Sequence, residues 1–170
     1  GEEIQKASKW KQYVITTKDN PVFKGGSIAV LNGTLAPGCA IIKQSAASPD
    51  LLVHEGKAVV FDNLEDLANR VDSEELEVSK DDVLVLKSIG PKGGPGMPEA
   101  GLIPIPKKLA KQGVKDMVRI SDGRMSGTAS GTIVLHVTPE SYEKGPLAIV
   151  QNGDIIKLDV PNRKIDLLIS

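Results

Sequence analysis

The sequence predicts a mixed α/β domain built on a barrel-like β-sheet with two or three flanking helices, a sandwich-like sheet being the other arrangement it allows. Three observations predict it. Short runs of Val, Ile and Leu recur along the chain, about nine in all, each long enough for one strand. Between them lie the turn formers, 17 glycines and 11 prolines in 170 residues. The middle of the chain alternates strand-like and helix-like stretches, which permits parallel pairs, whereas three strand-like runs follow one another closely at the C-terminal end, as in antiparallel hairpins.

Taken in order, residues 1–24 read as a polar lead-in with one short strand at 13–16, and residues 25–170 as a single domain. Gly25-Gly26 precedes a strand at 27–31, and Asn32-Gly33 is a two-residue turn signal. Strands follow at 39–43 and 57–61, the latter rich in β-branched valine. Asp62 and Asn63 offer helix caps, and Leu64, Leu67, Ala68 and Val71 fall at helical spacing behind them. Residues 72–82 are acidic and solvated, and the continuous apolar run 83–86 reads as a strand buried on both faces. A helix at 106–112 is stopped by Gly113. Further strands are expected at 117–120, 131–137, 147–150, 154–159 and 164–169, the last three joined by Asn152-Gly153 and Pro161-Asn162 turns.

Composition narrows the function. Hydrophobic residues make up 40% and charged residues 25%, the balance of a folded globular chain. A net charge of -1 and scattered lysines leave no footprint for nucleic acid, and 3% aromatic residues leave no base-stacking platform. No apolar run approaches the roughly 20 residues that span a bilayer, and no signal peptide is visible, so a cytoplasmic or mitochondrial home is expected without membrane or nucleic-acid partners. The single cysteine, Cys39, excludes an internal disulfide and reads as a small buried hydrophobe. No Cys or His pair has zinc-ligand spacing; His54 reads as a loop residue and His136 as a satisfied residue in a strand.

Two segments carry chemistry. Residues 90–101, Gly-Pro-Lys-Gly-Gly-Pro-Gly-Met-Pro-Glu-Ala-Gly, follow the buried strand and are too rich in glycine for a regular element. Such a loop suits close approach of backbone to a ligand, but it has neither the Gly-Lys-Ser/Thr ending of a phosphate loop nor a dinucleotide fingerprint. Its one carboxylate, Glu99, suits a hard cation such as magnesium, or is a solvated loop residue. Residues 121–132, Ser-Asp-Gly-Arg-Met-Ser-Gly-Thr-Ala-Ser-Gly-Thr, can turn hydroxyls and amides toward an anion. Ser126 is a candidate nucleophile or base if a nearby charge or metal lowers its pKa; a turn with a capped helix is the plainer reading.

Together and in this order, the two segments resemble the dihydroxy-acid dehydratase/6-phosphogluconate dehydratase family. The resemblance extends to 25–37, Gly-Gly-Ser-Ile-Ala-Val-Leu-Asn-Gly-Thr-Leu-Ala-Pro, and to Gly153-Asp154-Ile155-Ile156, so it covers the chain from about residue 13. Met125, the Ser126-Gly127-Thr128 run and Leu135-His136-Val137 lean toward the pentonate (arabonate, xylonate) branch, whereas Gly123 leans away from it. The resemblance implies a C-terminal domain of the swivelling β/β/α type. It implies an absent N-terminal domain with the cysteines of an iron–sulfur cluster and most magnesium ligands; Cys39 matches none of those cysteines. It implies Glu99 as a magnesium ligand, Ser126 as the base, acting as an alkoxide, that removes the C2 proton, and Thr128 in the substrate pocket. The implied reaction is dehydration of a 2,3-dihydroxy carboxylic acid to a 2-keto acid, with Mg2+ and the cluster as cofactors in a full-length enzyme that is a homo-oligomer. The alternatives are a branched dihydroxy acid of amino-acid biosynthesis as substrate rather than a sugar acid, and a non-catalytic binding or scaffold module that keeps the fold.

Overall fold

A computed structural model describes residues 14–94, 103–127 and 130–169. Its centre is the run Val83–Leu86, where all four residues are buried because the strand is covered on both faces. Alternation along it separates two cores: Val83 and Val85 face one cluster, Leu84 and Leu86 another.

The strands are β1 (Ala29–Leu31), β2 (Cys39–Ile42), β3 (Val53–Phe61), β4 (Val83–Leu86), β5 (Arg119–Ser121), β6 (Ile133–Thr138), β7 (Ile155–Asp159) and β8 (Lys164–Leu168). They form one eight-stranded sheet in the order β1-β2-β6-β5-β4-β3-β7-β8. The middle four strands are parallel, and each flank is an antiparallel pair. The two edges meet: Asn32 N–H donates to Arg163 O at 3.0 Å, and Ile165 N–H donates to Asn32 O at 3.2 Å. The sheet is therefore a nearly closed barrel, which hides its edges and encloses the inner core of Leu31, Ile42, Val60, Val85, Val134, Ile156 and Ile165.

Helices α1 (Leu64–Arg70) and α2 (Lys107–Lys111) lie outside the barrel, where Leu67 and Leu109 pack with Phe61, Leu84 and Leu86. Asn63 caps α1, its side chain accepting the Asp66 N–H at 2.9 Å. Gly113, at φ +91°, ends α2. The third helix, α3 (Pro146–Ile149), places Leu147 in the inner core.

The mixed α/β class and barrel-like sheet are those expected from sequence, but several elements differ. There are eight strands among the described residues, not nine. The expected strand 147–150 is absent and Pro146–Ile149 are helix: Pro146 occupies the first helical position, and Lys87 Nζ donates to Ala148 O and Val150 O at 3.1 and 2.7 Å. Asn32-Gly33 is not a tight hairpin turn, because Asn32 is drawn into the barrel seam and the connection runs to residue 38. β3 begins at Val53, four residues earlier than expected, because Val53–Lys57 pair with β7; His54 is thereby on a strand, not in a loop. Residues 14–16 form no strand and are exposed.

Candidate functional site

β4 and β5 are parallel neighbours with Leu86 paired to Ser121, so the two glycine-rich segments leave the sheet side by side. Buried carboxylates hold their first residues. Asp122, 2% exposed, accepts the Ile89 N–H at 3.0 Å and the Ser141 N–H at 2.8 Å, and also receives the Ser141 hydroxyl. Glu140, 7% exposed, accepts the amides of Lys92 and Gly93 at 3.1 and 3.2 Å. A carboxylate out of water requires such donors; for Glu140 they are the backbone of the first segment, and for Asp122 they are Ile89, just before that segment, and Ser141. A cavity of about 270 Å³ opens beside these groups, lined by Pro91, Lys92, Asp122, His136, Pro139 and Glu140.

The far ends of both segments are also held together. Arg119 donates from Nη1 to Ile103 O and from Nη2 to Ser130 O, both at 3.2 Å. Asp116 pairs with Arg119 Nη2 at 2.8 Å and accepts from the hydroxyls of Ser48 and Thr132, each at 2.7 Å. Burial alone would raise the Asp116 pKa, but the Ser48 and Thr132 hydrogen bonds and the Arg119 charge outweigh it and hold the carboxyl below its ordinary value.

Between these anchors the second segment turns back along β6. Gly123 O accepts the His136 N–H at 2.8 Å, Met125 packs on Ile133 and Leu135, and Lys43 Nζ donates to Gly127 O at 3.1 Å. Ser126 sits half-buried within this run. The segment contains no helix among its described residues, so the capped-helix reading does not hold there. Glu99 and Thr128 lie outside the described residues, as do any distances from Glu99 to Ser126. Cys39 is half-buried with its sulfur 3.8 Å from the Thr138 hydroxyl, and His54 Nε2 lies 2.8 Å from Asp81 O; neither joins the two segments.

Sequence reasoning passed over the residues that build this site. Asp122 was inside a recognised motif and needed only the question of what its carboxylate accepts. Asp116, Arg119 and Glu140 carried no spacing signal, and Lys43 and His136 looked like ordinary strand residues.

The family model for the dihydroxy-acid/6-phosphogluconate dehydratase C-terminal domain matches residues 13–170. The chain is 49% identical, over 99% of its length, to the L-arabinonate dehydratase of Rhizobium leguminosarum bv. trifolii. It is 50% identical over 92% of its length to the 6-deoxy-6-sulfo-D-gluconate dehydratase of Pseudomonas putida, and 44% identical over its full length to the dihydroxy-acid dehydratase of Carboxydothermus hydrogenoformans. It spans 29%, 28% and 30% of those three relatives. With its paired glycine-rich segments on a nearly closed barrel and this match along its length, the chain belongs to the dihydroxy-acid/6-phosphogluconate dehydratase family, to whose C-terminal domain it corresponds.

Proposed function

We propose that this chain is the C-terminal domain of a hydro-lyase that converts a 2,3-dihydroxy carboxylic acid, a sugar acid in the first instance, to a 2-keto acid. The observation that carries the reading is the placement of the second segment: its backbone is bonded along β6, so Ser126 has a defined, half-buried position instead of a loose loop. The relatives named for sugar-acid substrates, at 49% and 50% identity against 44% for the dihydroxy-acid dehydratase, support the sugar-acid branch.

Among the described residues no three of His, Cys, Asp and Glu lie close enough together to hold a metal ion. These residues by themselves therefore fit neither magnesium nor an iron–sulfur cluster, and Glu99 is assigned to magnesium on the family resemblance alone. What the chain itself supplies is proton transfer and positioning. Ser126 Oγ, as an alkoxide, takes the proton from C2, the C2–H electron pair becomes the C2–C3 double bond, and the 3-hydroxyl departs as water with the proton that Ser126 gained. The enol that remains tautomerises to the 2-keto acid. The family resemblance assigns Thr128 to binding the substrate.

The test is Ser126→Ala in the full-length enzyme, with keto-acid formation followed from a pentonate and from a branched dihydroxy acid. Loss of a general base lowers turnover by about 10²- to 10⁴-fold. Wild-type turnover in the variant would overturn the base assignment, and faster turnover of the branched acid would overturn the sugar-acid preference.

A further inference from the structure

We propose that Lys43 and His136 are positioning residues that together clamp the backbone of residues 125–127 and so hold Ser126 in place. The proposal rests on the reading of Ser126 as the base.

The clamp stands on two adjacent strands, β2 and β6, where Ile42 pairs with Val134 and Ile41 with Leu135. Beyond that pair the register slips. Two residues of β2 span three of β6, from the Ile41–Leu135 pair to the Cys39–Thr138 pair, so β6 carries a one-residue bulge. His136 lies in that bulge at φ +54°, a left-handed conformation unfavourable for a residue with a side chain. The bulge frees the main-chain N–H of His136 from the ladder, and this N–H and the ring both reach the second segment. Its main-chain N–H donates to Gly123 O at 2.8 Å, and its ring Nε2 accepts the Met125 N–H at 2.8 Å.

An accepting Nε2 requires a neutral ring with its proton on Nδ1. Burial first, and then the Arg124 charge, lower the His136 pKa below its ordinary value and favour that neutral form. Lys43, one residue past β2, completes the hold from the carbonyl side: Nζ donates to Ser126 O at 3.3 Å and to Gly127 O at 3.1 Å. Three consecutive residues are thus fixed at one amide and two carbonyls.

The segment needs such a hold. Gly123 and Gly127 flank Ser126, and glycine loses more backbone freedom on ordering than any other residue. A base acts only within hydrogen-bond reach of its proton, and a misplacement of about 1 Å costs up to about 10²-fold in rate. Neither side chain is needed for the β2–β6 ladder, which is made by main-chain groups.

The test compares His136→Phe and Lys43→Met with the conservative His136→Gln and Lys43→Arg in the full-length enzyme, alongside Ser126→Ala. The Phe and Met variants are expected to lose about 10²-fold in kcat with KM changed less than about threefold, and the Gln and Arg variants to recover most of it. In the 170-residue chain, amide exchange at Met125 is expected to rise about tenfold in His136→Phe while exchange in β4 stays as in wild type. Wild-type kcat in both the Phe and Met variants, where Ser126→Ala is inactive, would overturn the clamp alone. So would a loss that the conservative variants do not recover and that arrives with faster exchange throughout β4, the mark of a purely structural role. If Ser126→Ala keeps wild-type turnover, the base reading falls first and the clamp's role with it.

Discussion

Asp116 shows how one carboxylate can organise a site it does not enter. It accepts from the Thr132 and Met117 amides and from the Ser48 and Thr132 hydroxyls, and it pairs with Arg119, which in turn ties Ile103 to Ser130. Arg119 is 7% exposed, so removing its partner leaves a buried charge uncompensated. Asp116→Asn is expected to lower stability by about 3 kcal/mol, measured by urea unfolding near neutral pH. The sign of the pH effect follows from the lowered pKa. The unfolded carboxyl, near 3.8, binds its proton more readily than the folded one, so the stabilisation is whole above that value and is lost as pH falls through the folded value. Wild type should therefore weaken steeply below about pH 4. Asp116→Asn should show a shallower slope there, and equal slopes would contradict the assignment.

At the scale of elements, the seam between β1 and β8 decides whether the sheet closes. Asn32 bridges the two edges, and Gly33 follows it so closely that a Cβ there would lie 2.0 Å from Ile165 O. Thr34 continues the seam, donating its hydroxyl to Leu167 O at 3.1 Å and accepting the Leu167 N–H at 2.8 Å. Gly33→Ala must push backbone against backbone, where no side chain can yield. The expected cost is about 2 kcal/mol or more, read from the urea midpoint. Amide exchange should accelerate first at Ile165 and Leu167, while β4 and β5 at the far side of the barrel keep their protection. A uniform change across the sheet would mean that the seam has no separate opening.

As a whole molecule, the chain has an inner core and an outer core of its own. A domain with such burial is expected to fold alone, with a single cooperative transition. It is expected to form no keto acid by itself and to bind magnesium weakly, since Glu99 is the one magnesium ligand proposed from this chain and a hard octahedral cation held by one carboxylate stays mostly hydrated. Calorimetric titration giving micromolar magnesium affinity, or keto-acid production by the 170-residue chain, would contradict this reading. No helix of the described residues is long and apolar enough to cross a membrane.

By itself the sequence determined the elements whose signal is local. The continuous apolar run 83–86 predicted a strand covered on both faces, and it is one. Asn63 and Gly113 marked the ends of α1 and α2, because capping and left-handed termination depend on neighbours a few residues away. The two glycine-rich segments were visible as irregular and chemical, and their resemblance indicated the family. What only the tertiary structure decided involves partners far apart in sequence. The run 147–150 became the end of a helix because Pro146 starts it and the distant Lys87 takes the carbonyls of Ala148 and Val150. β3 lengthened to nine residues because β7 lies beside its first half. Asn32 left its local turn for a bond to Arg163. His136 looked like one more strand residue until the bulge in β6 turned its ring toward Met125, since register between strands depends on both partners and is written in neither alone.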